Sequence, residues 1–196
     1  MRRRTLILAV SGAAAATGLT GCGDGRVAAS NTTAPEPPAG LRLGTVETFR
    51  VPERHPAPPV TGELLDGSSF DLAAWRGDLV VINFWGSWCA PCRAETPDLE
   101  ATFQATKKLG VRFLGVDIRD DRDAATAFVT RFGVSYPSLY DPPGRVVLEF
   151  RDVPPNVVPA TVLLDRQLRI AAVFRKRVTR RELEAAVRAL AAENNT

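Results

Sequence analysis

Histidine and methionine are almost missing from this chain: 196 residues hold one of each, and only three cysteines. The histidine, His55, sits in a proline-rich stretch, and the methionine is Met1. A structural zinc site takes four ligands, so one cysteine pair with no further ligands does not make one. Three cysteines are also too few for a stapling framework of disulfides. A run of about 20 strongly apolar residues, the length of a membrane-spanning helix, is lacking. The leader segment from Leu6 to about Leu19 is short and heavy in Ala and Gly. An excess of one charge sign is lacking too. The net charge of +3 rests on Arg2, Arg3 and Arg4, and without them 22 basic residues face 22 acidic ones. Nothing in that balance argues for nucleic acid. No metal and no cofactor are expected.

What is present centres on Val80-Val81-Ile82-Asn83-Phe84-Trp85-Gly86-Ser87-Trp88-Cys89-Ala90-Pro91-Cys92-Arg93-Ala94-Glu95. An unbroken, β-branched apolar run predicts a strand buried on both faces. A Gly-Ser-Trp turn follows, then two cysteines three positions apart at the start of a helical pattern. Helix amides at that position are unpaired and the dipole is positive, which favours a thiolate. The thiolate is the attacking species in disulfide exchange. Cys89 therefore reads as an exposed nucleophile and Cys92 as the sulfur that resolves the mixed disulfide. Pro91 suits an early helix position, where a missing N–H is no loss. The plain alternative is a structural or incidental pair. Glu95 lies on the same helix face as Cys92. Burial beside a cysteine would shift its pKa, whereas a solvated carboxylate near a helix N-terminus would do nothing special. Trp85 reads as core, and Trp88 as either an apolar rim for substrate or ordinary packing.

Around this centre the chain reads in order. Residues 1–21 have the form of an export signal, with a charged start and a short apolar section. Residues 22–58 have the Gly, Ala, Ser, Thr and Pro composition of a flexible linker, within which Leu41 to Val51 could add a short strand. The domain is expected over 59–193, opening with a hairpin around Asp66-Gly67 and a helical turn from Leu72 to Trp75. The helix after Cys89 is expected to reach about Leu109, with Leu99, Phe103 and Leu109 inward, a kink at Pro97 and a stop at Gly110. A strand over 111–116 follows. Asp120 or Asp121 then caps a helix to Phe132, with Ala124, Phe128, Val129 and Phe132 inward. Short elements are expected over 136–140 and 146–150. A strand starts after Pro159 and pairs antiparallel with 168–174. A last helix opens on a Thr179 to Glu182 capping box, with Leu183, Val187 and Leu190 as its seam.

Three stretches, NFWGSWCAPCRAE, GVDIRDD and VPATVLLD, resemble the thioredoxin superfamily, and more closely its membrane-anchored TlpA/ResA-type thiol-disulfide oxidoreductases. The likeness covers roughly residues 58 to 192. It implies an α/β, thioredoxin-like fold: a central mixed sheet flanked by helices, an N-terminal β-hairpin extension and a central insertion around Pro142 to Pro155. It implies a redox disulfide between Cys89 and Cys92, with Glu95 moving protons near the buried cysteine. It implies a cis peptide before Pro159, which leaves the Val158 backbone free to pair with a substrate strand beside Trp88. Thioredoxin itself carries a buried Asp where this chain has Asn83, so that relay is absent here. Leu19-Thr20-Gly21-Cys22 resembles the bacterial lipobox, which implies lipidation of Cys22 and anchoring on the extracytoplasmic face of the membrane. An ordinary secretory signal is the alternative. The resemblance implies exchange of disulfides in exported proteins, as a reductant, with cytochrome c maturation as one example. The partners would be protein dithiols and a membrane electron donor, and the protein would act as a monomer. Two rivals are a copper-handling module of the same fold and a thiol peroxidase. The first lacks His and Met in the domain; the second lacks a visible peroxidatic motif.

Overall fold

The computed structural model describes residues 44–193. Six strands form one mixed sheet: β1 (Val46–Thr48), β4 (Leu79–Trp85), β5 (Val111–Ile118), β6 (Ser138–Asp141), β7 (Ala160–Leu164) and β8 (Ile170–Phe174). Their spatial order is β1-β8-β7-β4-β5-β6. The β4, β5 and β6 strands run parallel, and β7, β8 and β1 are added antiparallel. The expected hairpin is β2 (Thr61–Glu63) with β3 (Ser69–Asp71), a separate two-stranded sheet. Four helices complete the order: α1 (Ala90–Thr106), α2 (Arg122–Phe132), α3 (Arg145–Glu149) and α4 (Arg180–Glu193).

Every residue of β4 is buried, as the unbroken apolar run requires. Its side chains alternate between two cores, as strand geometry dictates. Val80, Ile82 and Phe84 join Phe70, Leu72, Val147 and Phe150 on one face, which the hairpin region and the insertion cover. Leu79 and Val81 join Leu99, Leu183, Val187 and Leu190 on the other, covered by α1 and α4. The central position of β4 delivers the turn after Trp85 to the rim of the sheet, where α1 begins.

Several expectations are corrected. The short strand expected within Leu41 to Val51 is β1, and with it the second half of the expected linker joins the fold: Val46–Thr48 pairs with β8, and Pro56 bridges to Arg169. The Arg54 side chain, almost wholly buried, reaches Asp165 at 3.5 Å and Glu193 at 2.5 Å. Leu109 is 40% exposed, because the chain tightens into a 3-10 turn over Lys107–Leu109 and loses the 3.6-residue period. In α2 the inward alanine is Ala125, not Ala124. Of the two acids offered as caps for α2, Asp121 takes the position, as expected, accepting from the N–H groups of Asp123 and Ala124. The short element at 146–150 is the helix α3. Cys22 and the leader lie outside the described residues.

Candidate active site

Cys89 is the N-cap of α1. Its Sγ accepts a hydrogen bond from the Cys92 N–H at 3.1 Å, one of the amides a helix start leaves without an internal partner. Cys89 and Cys92 are joined as a disulfide, with Cα atoms 5.2 Å apart. Ala90 and Pro91 supply the first helical turn, so the helix begins between the two sulfurs.

The expectation of an exposed Cys89 is corrected. In the oxidised form it is only 4% exposed, and Cys92 is fully buried. Both sit in an apolar cluster with Trp85, Ala125 and Phe128, against which Val158 packs. The Trp85 and Phe128 rings stack at 4.5 Å and form the floor. Gly115 makes room for this ring, since a Cβ there would lie 2.7 Å from Trp85 Nε1.

The turn that carries Cys89 is held from three sides. Ser87 donates both its N–H and its hydroxyl to the Asp120 carboxylate. Its carbonyl accepts from Arg93 at 2.7 Å. Trp88, 49% exposed, donates its indole N–H to the Ile118 carbonyl at 3.3 Å. The indole folds back over Gly86, where a Cβ would come within 2.5 Å of its nitrogen.

One helical turn beyond Cys92 on α1 lies Glu95, with no exposed surface. Its Oε1 accepts from Asn83 at 2.9 Å and its Oε2 from the Val178 N–H at 3.0 Å. Asn83 also donates to Thr161 Oγ1 at 3.1 Å. This polar string ties α1, β4, β7 and the segment leading into α4. Burial raises the Glu95 pKa to about 7; the bonds from Val178 and Asn83 and the Arg177 charge oppose that rise, and Asp98 adds to it. The carboxyl is thus balanced between its two forms near neutral pH, as a group that passes protons must be. Asn83 cannot itself take up a proton, but it orients the residue that can.

The Val158-Pro159 peptide is cis. Neither the N–H nor the C=O of Val158 is hydrogen-bonded to other backbone among the described residues. The structure thus brings Cys89 and Cys92 against Val158, which precedes Pro159, with Trp88 next to Cys89 in the chain and Glu95 one turn beyond Cys92 on the same helix. Among the described residues no group of three or more His, Cys, Asp or Glu is placed to hold a metal ion.

Sequence reasoning missed two contributors. Asp120 pins the catalytic turn instead of capping α2. Asp117, fully buried on β5, has two carboxylate oxygens that accept no hydrogen bond from any donor. Both lie in the GVDIRDD stretch, whose likeness to relatives was the available signal.

Relatives carry the same chemistry. The AhpC/TSA family matches residues 54–173. The thiol-disulfide oxidoreductase ResA of Geobacillus kaustophilus is 30% identical over 120 residues, 61% of this chain and 67% of that protein. ResA of Bacillus subtilis is 31% identical over 123 residues, 63% and 67% of the respective chains. A crystal structure of a DsbF homologue from Corynebacterium diphtheriae is 37% identical, with a TM-score of 0.72 over 79% of this chain and 96% of that one. A secreted thiol-disulfide isomerase from Corynebacterium glutamicum is 35% identical, also with a TM-score of 0.72, over 75% and 92%. With a cysteine pair closed at the mouth of a helix, a buried carboxyl one turn further along that helix and these kin around it, the chain belongs to the AhpC/TSA family of thioredoxin-like proteins and is a ResA-type thiol-disulfide oxidoreductase.

Proposed function

We propose that the protein is a lipid-anchored, extracytoplasmic reductase of disulfides in exported proteins, in which Cys89 attacks and Cys92 resolves. The observation that carries this reading is the Cys92 N–H aimed at Cys89 Sγ from the start of α1. After reduction the same amide and the helix dipole favour a thiolate at Cys89. That thiolate attacks one sulfur of a substrate disulfide, forms a mixed disulfide and expels the other substrate sulfur as a thiolate. Glu95, as a carboxylate, takes the proton of the Cys92 thiol. Cys92 then attacks Cys89 Sγ and releases the second substrate sulfur, which leaves as a thiol after protonation. Two electrons pass to the substrate, and the enzyme is left as the disulfide. A membrane dithiol donor then recharges it. The substrate chain lies extended between Trp88 and Val158 and pairs with the Val158 backbone, a mode that takes many sequences because it reads main chain.

The anchoring rests on Leu19-Thr20-Gly21-Cys22, with lipid on Cys22. No helix among the described residues is long and apolar enough to cross a membrane. The secreted relative from Corynebacterium glutamicum supports export. A mass spectrum of the mature N-terminus tests the anchor: a diacylated Cys22 is expected, and an unmodified or missing Cys22 contradicts it.

The direction of electron flow is tested by the reduction potential. Strong oxidants of this fold lie near about −120 mV and thioredoxin near about −270 mV. A value close to the second is expected, and one close to the first reverses the proposed role. Trapping with Cys92→Ser then identifies the substrate as a stable mixed disulfide on Cys89.

A further inference from the structure

The GVDIRDD stretch does more than end a strand. Ile118 and Asp120 each fasten the catalytic turn. Arg119, between them, touches both sides of the site. Its guanidinium lies over the Trp88 ring, 5.9 Å from the centroid. The same group donates to the Pro155 carbonyl at 2.9 Å and to Asn156 Oδ1 at 3.3 Å. Pro155 and Asn156 lead directly into Val158 and the cis proline. One side chain therefore spans from the residue before Cys89 to the loop that presents Val158.

The backbone at Arg119 is unusual in the same sense. Its φ is 53°, in the left-handed region that side-chain-bearing residues rarely occupy. Such conformations persist where surrounding contacts hold them, and they concentrate at functional sites. The planar guanidinium is suited to the task. It offers several donors in a fixed fork and can stack on an aromatic face at the same time, which an ammonium group does less well.

We propose that Arg119 is a positioning residue that fixes the separation of the two walls, Trp88 and the Pro155 to Val158 loop, between which a substrate segment lies. This rests on the reading above that an extended substrate binds along Val158. A clamp of this kind matters little to a small disulfide that touches only Cys89. It matters to a peptide that must contact both walls at once, because a preset groove removes the cost of ordering the loop on binding.

The test uses the reduced Cys92→Ser protein, which stops at the mixed disulfide. Two reagents are compared: free cysteine, and a five-residue peptide with a central cysteine, each joined through sulfur to 2-nitro-5-thiobenzoate. The Cys89 thiolate attacks the cysteine sulfur, the S–S bond breaks, and the coloured nitrothiobenzoate leaves with the electron pair. The adduct mass confirms which sulfur was captured. The parent protein is expected to react faster with the peptide than with the cysteine reagent. Arg119→Gly, which suits the left-handed backbone, is expected to lower that rate ratio roughly tenfold. Asn156→Ala, lacking one acceptor of the clamp, shifts the ratio in the same direction. The double variant falls no further than Arg119→Gly alone, as partners in one interaction should. A ratio in Arg119→Gly and Asn156→Ala equal to that of the parent overturns the clamp. A parent with no preference for the peptide overturns the substrate groove itself, which is a different failure.

Discussion

Two buried carboxyls, Glu95 and Asp117, have their pKa values raised to about 7 and about 8 by burial and neighbouring charge. Glu95 ionises near 7 in the fold against 4.5 when free, chiefly through burial. Between those values the folded chain holds a proton that the unfolded chain has lost. The stability from this group is therefore fully present below about pH 4.5 and is lost as pH rises through about 7. The size is on the order of 3 kcal/mol. Glu95→Gln removes the titration, so its stability relative to the parent is expected to rise by about that amount between pH 4.5 and pH 8. Chemical denaturation of the oxidised proteins at both values checks it, and a constant difference contradicts it. The same variant is expected to slow resolution by Cys92 by about a hundredfold, the lower end of general-base effects, which stopped-flow measurement of the second step reads. Asp117 is the second case: burial, then Asp120, then Asp141, raise its pKa to about 8. An ionised carboxylate with no donor is costly inside a protein, so near neutral pH Asp117 is held as the acid. Its proton is available to Asp120, the carboxylate that grips Ser87. In the oxidised protein the cysteines do not titrate. A step near pH 8 is therefore expected in the indole signals of Trp85 and Trp88, absent in Asp117→Asn. Persistence of the step in the variant would place the titration elsewhere.

The elements carry their own tests. The turn from Gly86 to Cys89 works because the Trp88 indole can fold across a residue with no Cβ. Gly86→Ala places a methyl 2.5 Å from the indole nitrogen, so the ring must leave Ile118. The expected result is a red-shifted, more quenchable Trp88 fluorescence and slower capture of peptide disulfides. Unchanged fluorescence speaks against the packing. At the other end of the fold, residues 44–58 form a strap across the sheet edge. Arg54 closes on Asp165 and Glu193, and the fully buried Arg175 side chain reaches Glu47 at 2.7 Å. Removing one partner of a buried ion pair costs about 3–5 kcal/mol, because the other charge stays behind. A chain beginning at residue 59 is thus expected to be several kcal/mol less stable than one beginning at 44, by urea titration. Equal midpoints refute the strap. The sequence offered a short strand within Leu41 to Val51 but not its place in the sheet. A three-residue strand carries almost no periodicity, and its partner β8 lies more than 120 residues further on. The slip from Ala125 to Ala124 has a plainer cause: one residue is 100° of helix, and the apolar stripe of α2 is broad enough to hide the error.

Across the molecule, legibility followed chemistry that is local in the chain. The β4 run, the cysteine pair at the helix start and Glu95 one turn beyond Cys92 all lie within 17 residues from Leu79 to Glu95, and their spacing alone placed them. Pro159 became legible only through the likeness of VPATVLLD to relatives, since nothing local brings it to the dithiol. Asp117, Arg119 and Asp120 stayed hidden for a different reason. Adjacent acids before a helix read as caps, and only the three-dimensional path of the Ser87 turn sends Asp120 to it. In the function proposed above, these pieces serve to hold a sulfur anion at a positive helix end, with the second sulfur one turn further in. The rate of iodoacetamide alkylation of the fully reduced protein as a function of pH, with peptide mapping of the modified site, tests that most directly. The account predicts modification of Cys89 first, with a midpoint well below the value of about 8.5 for a free thiol. A midpoint at or above that value, or modification of Cys92 ahead of Cys89, would contradict it.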